Sequence, residues 1–346
     1  KFGAAFLGEE SSFSFIYTQT PNIPMKIVIL DGYTSNTGDL SWAGINALTD
    51  ELVIYDRTKP CEIVERCAGA QIVLTNKVPL GKSEMEQLPE LKYIGVMATG
   101  FNVIDIAAAL ERGIVVTNVP AYSTMSVAQL TFALLLAVCS PVQPYNDAVK
   151  AGGWVKALDP TFYLPGFPLI ELQGQTMAIV GLGQIGSQVA KIAIALGMKV
   201  LAWTSKSADQ LPEGIEKAES LEHLFSAADV LTLHCPLTET TRELVNAERL
   251  ALMKPSAIII NTSRGAVINE NDLANALNSG KIRAAALDVL TVEPAHADCP
   301  LLSAKNCLLT PHVAWATVEA RTRLIDVLEK NIAAWLSGKP QNVVNK

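Results

Sequence analysis

The chain has 346 residues, enough for two domains, and 49% of them are hydrophobic, so a sizeable core is available. Its formal net charge of −7 argues against nucleic acid or an anionic membrane surface as the main partner. The longest apolar run, 127–138, is interrupted by Gln129 and Thr131 and falls short of the roughly 18 to 20 apolar residues that a membrane span needs.

Cysteine usage indicates the compartment. The chain contains no Cys-x-x-Cys pair and no Cys/His cluster at zinc spacing, and several cysteines lie in apolar runs, as Cys139 does. This pattern is typical of buried free thiols in a reducing environment, so we expect a cytoplasmic protein without a metal site.

Short β-rich runs alternate with helical patterns, which predicts parallel sheets with crossover helices. Residues 1–24 form a leader of unknown role, because the first methionine, Met25, directly precedes the first clear strand. A helical pattern at 104–112 is closed by Gly113. The strands predicted in this first part are 26–30, 52–55, 72–74, 93–96 and 115–117.

A long helical pattern at 123–140, stopped by Pro141, precedes a second set of strands. The last amphipathic helix, 318–336, is expected to return to the first unit. The chain is therefore predicted to be an α/β protein in which 25–120 and 313–346 form one domain and 121–312 the other. The second set of strands is predicted at 177–180, 200–203, 230–234, 258–261, 284–288 and 308–309.

The run 178–186, Ala-Ile-Val-Gly-Leu-Gly-Gln-Ile-Gly, joins a predicted strand to a predicted helix. In this context Gly181 allows a tight turn, Gly183 permits close approach of a pyrophosphate, and Gly186 lets the helix pack on the strand. The N–H groups that open the helix, at Gln184 and Ile185, are expected to bind phosphates. The motif predicts a dinucleotide-binding domain; a glycine-rich turn in another parallel sheet is the alternative.

A hydride-transferring enzyme must also bind its substrate and exchange one proton. Arg264 follows the predicted strand 258–261, where open α/β sheets bind ligands, and a guanidinium there can bind a carboxylate with two hydrogen bonds. His312 follows the strand 308–309, and imidazole titrates near neutrality, as proton donation to a carbonyl requires. A surface arginine and a structural histidine are the alternatives.

Neighbouring polar residues suggest supporting roles. A carboxylate such as Glu293, placed beside His312, would orient the ring and favour its protonated form; a solvated loop glutamate is the alternative. Asp288, at the end of its strand, is either a cofactor contact or a local cap, and His234 lines the cofactor crevice without acid–base chemistry. The remaining histidines fit structural positions, His223 in a helix and His296 in a polar loop.

From Met25 onward the chain resembles the D-isomer-specific 2-hydroxyacid dehydrogenase family. Segments 126–129 and 154–172 look most like its glycerate dehydrogenase (hydroxypyruvate reductase) branch. The motifs that carry the family resemblance are Gly-Leu-Gly-Gln-Ile-Gly at 181–186, His-Cys-Pro-Leu-Thr at 234–238, Asn-Thr-Ser-Arg-Gly at 261–265, Leu-Asp-Val at 287–289 leading to Glu-Pro at 293–294, and Thr-Pro-His at 310–312; stretches 98–105 and 113–120 also match.

The resemblance implies a flavodoxin-like substrate domain and a Rossmann-like nucleotide domain that close over the substrate, in a homodimer joined through the nucleotide domains. Arg264 would bind the substrate's carboxylate and carbonyl, His312 would be the general acid/base with Glu293 as its partner, and Asp288 would contact the nicotinamide amide. The backbone of Ala98, Thr99 and Gly100 would hold the carboxylate. The matched motifs also imply cofactor contacts at His234, Cys235, Pro236, Thr262 and Ser263.

One departure bears on the cofactor. Members that prefer NAD usually carry an acidic residue just after the second strand, where it accepts a hydrogen bond from the ribose 2′-OH. Here Thr204, Ser205 and Lys206 occupy that stretch, and no acid follows until Asp209. Serine and lysine can bind a 2′-phosphate, so NADP is favoured over NAD; an NAD enzyme that uses other contacts is the alternative.

The sequence therefore predicts reduction of a small 2-oxo acid to a D-2-hydroxy acid, with hydroxypyruvate to D-glycerate as the best single assignment. Glyoxylate reductase and phosphoglycerate dehydrogenase are alternatives, the latter disfavoured by the short segment after His312. A dinucleotide-sensing protein of the same fold is the alternative from another class, since fold alone does not determine function.

Overall fold

The computed structural model describes residues 25–158 and 160–346, so the predicted leader at 1–24 lies outside the described residues. The described chain forms two compact units. The first contains the described residues up to Val96 together with Asn102–Thr117 and Ile332–Lys346, and the second contains Met97–Phe101 and Asn118–Asn331. The chain therefore passes between units after residues 117 and 331, whereas the sequence placed these boundaries after 120 and 312.

The first unit is built on a parallel sheet whose strands, except the edge strand at 51–54, are nearly continuous runs of buried apolar residues, as expected where both faces are covered. Its strands are β1 (Lys26–Ile29), β2 (Glu51–Ile54), β3 (Ile72–Thr75), β4 (Tyr93–Val96) and β5 (Val115–Thr117). Its helices are α1 (Ala43–Asn46), α2 (Ile63–Cys67), α3 (Lys82–Glu86) and α4 (Ile106–Glu111). The strand order β2-β1-β3-β4-β5 is the flavodoxin-like order, as predicted.

The second unit holds a seven-stranded parallel sheet in the order β12-β11-β10-β9-β6-β7-β8, which contains the doubly wound dinucleotide-binding order. Its strands are β6 (Thr176–Val180), β7 (Lys199–Trp203), β8 (Ile215–Lys217), β9 (Val230–Leu233), β10 (Ile258–Asn261), β11 (Ala284–Leu287) and β12 (Cys307–Leu309). Its helices are α5 (Thr124–Cys139), α6 (Val142–Lys150), α7 (Gln184–Ala195), α8 (Leu221–Ala227), α9 (Ala247–Leu252) and α10 (Glu270–Asn278).

The last helix, α11 (Val318–Leu336), contributes to both units. Within the second unit the Asn331 side-chain amide donates to the Asn118 carbonyl at 2.9 Å. Within the first unit Trp335 packs on Tyr93, with ring centroids 5.1 Å apart. Only the end of α11 therefore belongs to the first unit, because the turns before it are part of the second unit.

The fold class is confirmed, and every predicted strand is present within one residue of its predicted limits. Strand β8 was not predicted, because it is a three-residue edge strand with one buried residue, Ile215. Helix α6 was missed as well, since Pro141 was expected to end the helical pattern and none of the residues of α6 is buried. Among the described residues no single helix is long and apolar enough to span a membrane; α5 and α6 meet that test only as a pair bent by 51°.

Candidate active site

The glycine-rich turn after β6 is shaped by close backbone contacts. Gly181 has φ +91, and a Cβ on it would lie 2.8 Å from the carbonyl oxygen of His234 and the nitrogen of Cys235. A Cβ on Gly186 would lie 2.1 Å from the Gly181 carbonyl oxygen. Both positions therefore exclude a side chain because the protein's own backbone fills the space.

Gly183 differs from its neighbours, because a Cβ there would meet no atom within 4 Å. Gly183 is the N-cap of α7 and has no side chain to cap the helix. The first helix N–H with a described acceptor in the turn is that of Ser187, which donates to the Gly183 carbonyl at 2.9 Å. The N–H groups of Gln184 and Ile185 are left for an anion. Open space in front of uncapped helix N–H groups fits a dinucleotide pyrophosphate, so the residues present suit the predicted cofactor.

The segment after β7 adjoins this turn. The Gly181 N–H donates to the Trp203 carbonyl at 2.8 Å, which fixes the end of β7 beside the glycine-rich turn. Ser205 is exposed, whereas Thr204 and Lys206 are half-buried. The Thr204 hydroxyl accepts a hydrogen bond from the Lys206 N–H at 3.3 Å. The three residues thus lie where the ribose of a dinucleotide is expected.

The segment after β9 supplies a neutral histidine. Burial lowers the pKa of His234 to about 3, so its ring is uncharged at neutral pH. Its Nε2 lies 2.9 Å from the Thr232 hydroxyl. Cys235 is buried, burial raises the pKa of its thiol, and the Pro236 carbonyl accepts a hydrogen bond from the Thr241 hydroxyl at 2.6 Å. A ring that stays neutral suits a crevice wall rather than an acid–base group.

Asn261, the last residue of β10, organises the loop that carries Arg264. Its carboxamide oxygen accepts from the N–H and hydroxyl of Ser263 at 2.9 and 2.8 Å, and its amide donates to the Arg264 carbonyl at 2.9 Å. The Thr262 hydroxyl lies 3.1 Å from that of Thr131 on α5. Arg264 is exposed, and one guanidinium nitrogen donates to the Ser263 carbonyl at 2.7 Å, so most of its N–H groups remain for a ligand.

Gly265 brings the Arg264 loop against the segment that carries Glu293. A Cβ on Gly265 would lie 1.9 Å from the carbonyl carbon of Leu290, so only glycine permits this approach. One Glu293 carboxylate oxygen accepts from the Leu290 N–H at 3.1 Å. Its other oxygen, Oε2, lies 2.6 Å from His312 Nδ1. Glu293 and His312 are thus brought together across 19 residues of sequence, beside the loop that carries Arg264.

His312 lies in a conformation that L-residues rarely adopt, with φ +52. Asp288 stabilises it, because its backbone carbonyl accepts from the His312 N–H at 2.7 Å. The Asp288 carboxylate, only 1% exposed, accepts from the Thr310 hydroxyl at 2.5 Å and from the N–H groups of Val313 and Ala314 at 2.9 and 2.8 Å. Asp288 therefore makes the contacts of a local cap, one of the two roles that the sequence suggested for it.

The predicted carboxylate-binding backbone, residues 98–100, belongs to the second unit. The Ala98 carbonyl accepts from the Val119 N–H at 3.0 Å, and the Thr99 carbonyl accepts from the Asn118 amide at 2.7 Å. Within the described chain the N–H groups of Thr99 and Gly100 find no protein acceptor, and no hydrogen bond links this segment to Arg264, Glu293 or His312. The segment is held by its carbonyls, and these N–H groups remain available to a ligand.

Sequence reasoning missed Tyr122 and Thr310. The ring of Tyr122 packs edge-on against Trp315, with centroids 6.4 Å apart. Burial raises the pKa of Tyr122, while a hydrogen bond with the Ser123 side chain and the positive charge of Arg264 act in the opposite direction. The only signal available for either residue was its closeness to a motif. In the described part of the chain no group of three or more His, Cys, Asp or Glu side chains is arranged to hold a metal ion.

Comparison with known proteins agrees with this geometry. A family model described as the NAD binding domain of D-isomer specific 2-hydroxyacid dehydrogenase matches residues 132–314. The chain is 48% identical over 325 residues to a hydroxypyruvate reductase of Blautia hydrogenotrophica, an alignment that covers 93% of this chain and 100% of that protein. It is 42% identical over 298 residues to a glycerate dehydrogenase of Methylorubrum extorquens, with 84% and 90% of the two chains covered.

A solved structure shares the whole architecture. An acyclic imino acid reductase in complex with NADPH and D-Arg superposes with a TM-score of 0.80 at 33% identity, covering 92% of this chain and 100% of that one. The family match, the identities and the fold all agree with the resemblance seen in the motifs. This chain is an oxidoreductase that belongs to the D-isomer specific 2-hydroxyacid dehydrogenase family.

Proposed function

We propose that this protein catalyses the NAD(P)H-dependent reduction of a small 2-oxo acid to the D-2-hydroxy acid, and that hydroxypyruvate, which gives D-glycerate, is its substrate. The observation that carries the proposal is the 2.6 Å contact between His312 Nδ1 and Glu293 Oε2 beside the loop of Arg264. The names of the hydroxypyruvate reductase and glycerate dehydrogenase relatives support the choice of substrate.

Substrate binding is assigned to Arg264 and to the backbone of residues 98–100. The Arg264 guanidinium keeps free N–H groups that can bind the substrate carboxylate with two parallel hydrogen bonds. The N–H groups of Thr99 and Gly100 add neutral donors for the same carboxylate. Gly183, Gln184 and the other residues assigned to the cofactor would hold the dinucleotide, namely Gly181, Ile185, Gly186, Thr204, Ser205, Lys206, His234, Cys235, Pro236, Thr262, Ser263 and Asp288.

Proton transfer is assigned to His312. When bound, the reduced nicotinamide supplies a hydride to C2 of the 2-oxo acid. Because Nδ1–H donates to Glu293, Nε2 of protonated His312 carries the proton that moves to the carbonyl oxygen, so the oxo group becomes a hydroxyl and the imidazole becomes neutral. The positive charge of Arg264 stabilises the negative charge that develops on that oxygen.

The second unit is assigned as the dinucleotide-binding domain, predicted at 121–312, and the first unit as the substrate domain, predicted at 25–120 and 313–346. A cytoplasmic location is part of the proposal, since all six cysteines are free thiols. We assign no nucleic-acid or membrane partner to a chain of net charge −7.

A homodimer through the second unit completes the proposal. From α6 to the start of β6 that unit exposes many large apolar side chains, more than an isolated soluble domain usually leaves uncovered. The exposed residues include Val142, Trp154, Val155, Leu158, Tyr163 and Leu169. Light scattering on the purified protein should give about twice the chain mass of 37.1 kDa; a mass of one chain at micromolar concentration would reject the dimer.

The test of the reaction is hydroxypyruvate-dependent oxidation of NADH and NADPH, measured side by side, with glyoxylate, pyruvate and 3-phosphohydroxypyruvate as comparison substrates. We expect the highest kcat/KM with hydroxypyruvate. A higher value with another of these acids would replace the substrate and keep the reaction class. Tight dinucleotide binding without turnover of any of them would reject the enzymatic assignment in favour of a sensing role.

A further inference from the structure

The loop after β7 carries positive charge that the protein itself does not neutralise. Lys206 lies in this loop, and Lys217 is the last residue of the neighbouring strand β8, where it pairs in register with Ala202 of β7. The Lys217 ammonium reaches across and donates to the Lys206 carbonyl at 2.6 Å. Among the described residues neither lysine forms an ion pair with a carboxylate.

The nearest acidic residue along the loop is Asp209, in the short helical turn Ala208–Gln210. Hydrogen bonds from the Ser207 side chain and from its own backbone N–H lower its pKa. The residues directly after β7, 204–207, include no carboxylate that could accept a hydrogen bond from a ribose 2′-OH or repel a 2′-phosphate.

The location of the two lysines defines what they can bind. The end of β7 is tied to the glycine-rich turn by the Gly181 to Trp203 hydrogen bond, so the loop adjoins the site assigned to the pyrophosphate. In doubly wound sheets this loop faces the 2′ position of the adenosine ribose. An ammonium has three donors, and Lys217 uses one of them on the Lys206 carbonyl, which leaves donors for an anion at that position.

We propose that Lys217, together with Lys206, makes this protein selective for NADPH by binding the 2′-phosphate, with Lys217 also positioning the Lys206 loop. This inference rests on the proposed dinucleotide binding but not on the choice of 2-oxo acid. It adds a residue of β8, a strand that the sequence did not predict, to the Thr204–Ser205–Lys206 stretch.

The test is direct binding, measured by titration calorimetry with NADPH, NADH, 2′,5′-ADP and 5′-AMP on wild-type protein and Lys217→Met. We expect wild type to bind NADPH and 2′,5′-ADP at least about tenfold more tightly than NADH and 5′-AMP, with the difference decreasing as salt is added. Lys217→Met should lose most of that difference while its NADH affinity stays unchanged, and Lys217→Arg should retain it.

Two controls make the outcome specific. Lys199→Met removes an exposed lysine at the opposite end of β7 and should leave both affinities as in wild type. Lys206→Met tests the loop independently and should also reduce the preference. Equal wild-type affinity for NADH and NADPH would overturn the inference, as would an unchanged preference in Lys217→Met. Failure of wild type to bind either dinucleotide would instead reject the proposed function.

Discussion

The loops after β10, β11 and β12 hold their polar side chains very differently from the loop after β7. In the first region a buried carboxylate, Asp288, accepts three hydrogen bonds, and Gly265 brings two loops into backbone contact. In the second region Lys217 donates one hydrogen bond to the Lys206 carbonyl, and among the described residues neither lysine pairs with a carboxylate. The residues assigned to catalysis are thus positioned by contacts within the protein, whereas the lysines assigned to cofactor choice keep N–H donors that a ligand can use.

The largest expected effect concerns the first region. His312→Asn should lower kcat by about 10²–10⁴-fold, the usual contribution of a general acid. Dinucleotide affinity should stay near the wild-type value, because His312 is not among the cofactor contacts. The matched control is His296→Asn, in an exposed loop. Near-normal turnover by His312→Asn in a steady-state assay would remove the acid–base assignment.

The next effect concerns the partner of that histidine. Glu293→Gln keeps the size of the side chain but replaces an acceptor with an amide, and in hydrolase triads the corresponding change costs about 10⁴-fold in kcat. We expect a loss of about 10²-fold or more, and a pH–rate profile for reduction that moves to lower pH because protonated His312 loses its carboxylate. An unchanged profile would show that Glu293 is not the functional partner.

The glycine-rich turn offers a matched pair of variants. Gly183→Ala places a methyl group in open space, so thermal stability should be unchanged while the Kd for NAD(P)H rises by about tenfold or more. Gly186→Ala places a methyl group 2.1 Å from a backbone oxygen and should lower the melting temperature. Unaltered dinucleotide affinity in Gly183→Ala would place the pyrophosphate away from this turn.

Asp288→Asn tests whether the hydrogen bonds of the Asp288 carboxylate position the first region. An amide nitrogen would face N–H or O–H donors at one of the carboxylate's three contacts, which costs about 1–3 kcal/mol of unfolding free energy. Denaturant unfolding should show that loss together with a lower kcat, since His312 is held through the same residue. Full stability with impaired catalysis would favour a direct cofactor contact instead.

The last prediction concerns the pH dependence of stability contributed by His234. The pKa of His234 is lowered from 6.5 to about 3 in the folded protein, so below about pH 6.5 the unfolded chain binds a proton that the folded chain does not. The free energy of unfolding should therefore fall as the pH decreases from 6.5 toward 3, by up to about 1.4 kcal/mol per pH unit. His234→Gln should flatten this slope in urea unfolding between pH 7 and pH 5; an unaltered slope would contradict the buried neutral ring.

Much of the fold was determined by local sequence pattern. Buried parallel strands are continuous apolar runs, which is why β1, β6 and β10 were predicted within one residue of their observed limits. The glycine-rich turn was likewise readable, because its three glycines have a fixed spacing between a strand and a helix. Arg264 and His312 were found because parallel strands present their carboxyl ends at one edge of a sheet.

What only the tertiary structure decided depends on contacts between residues far apart in sequence. The Asp288 carboxylate serves residues 22 to 26 positions later, and no local pattern reveals that its lone pairs are already occupied. Gly265 is required by the backbone of Leu290, and Lys217 matters because a three-residue edge strand lies beside the Lys206 loop. Residue types and strand ends are encoded locally, whereas the partner of each polar group is set by which strands become neighbours in the sheet.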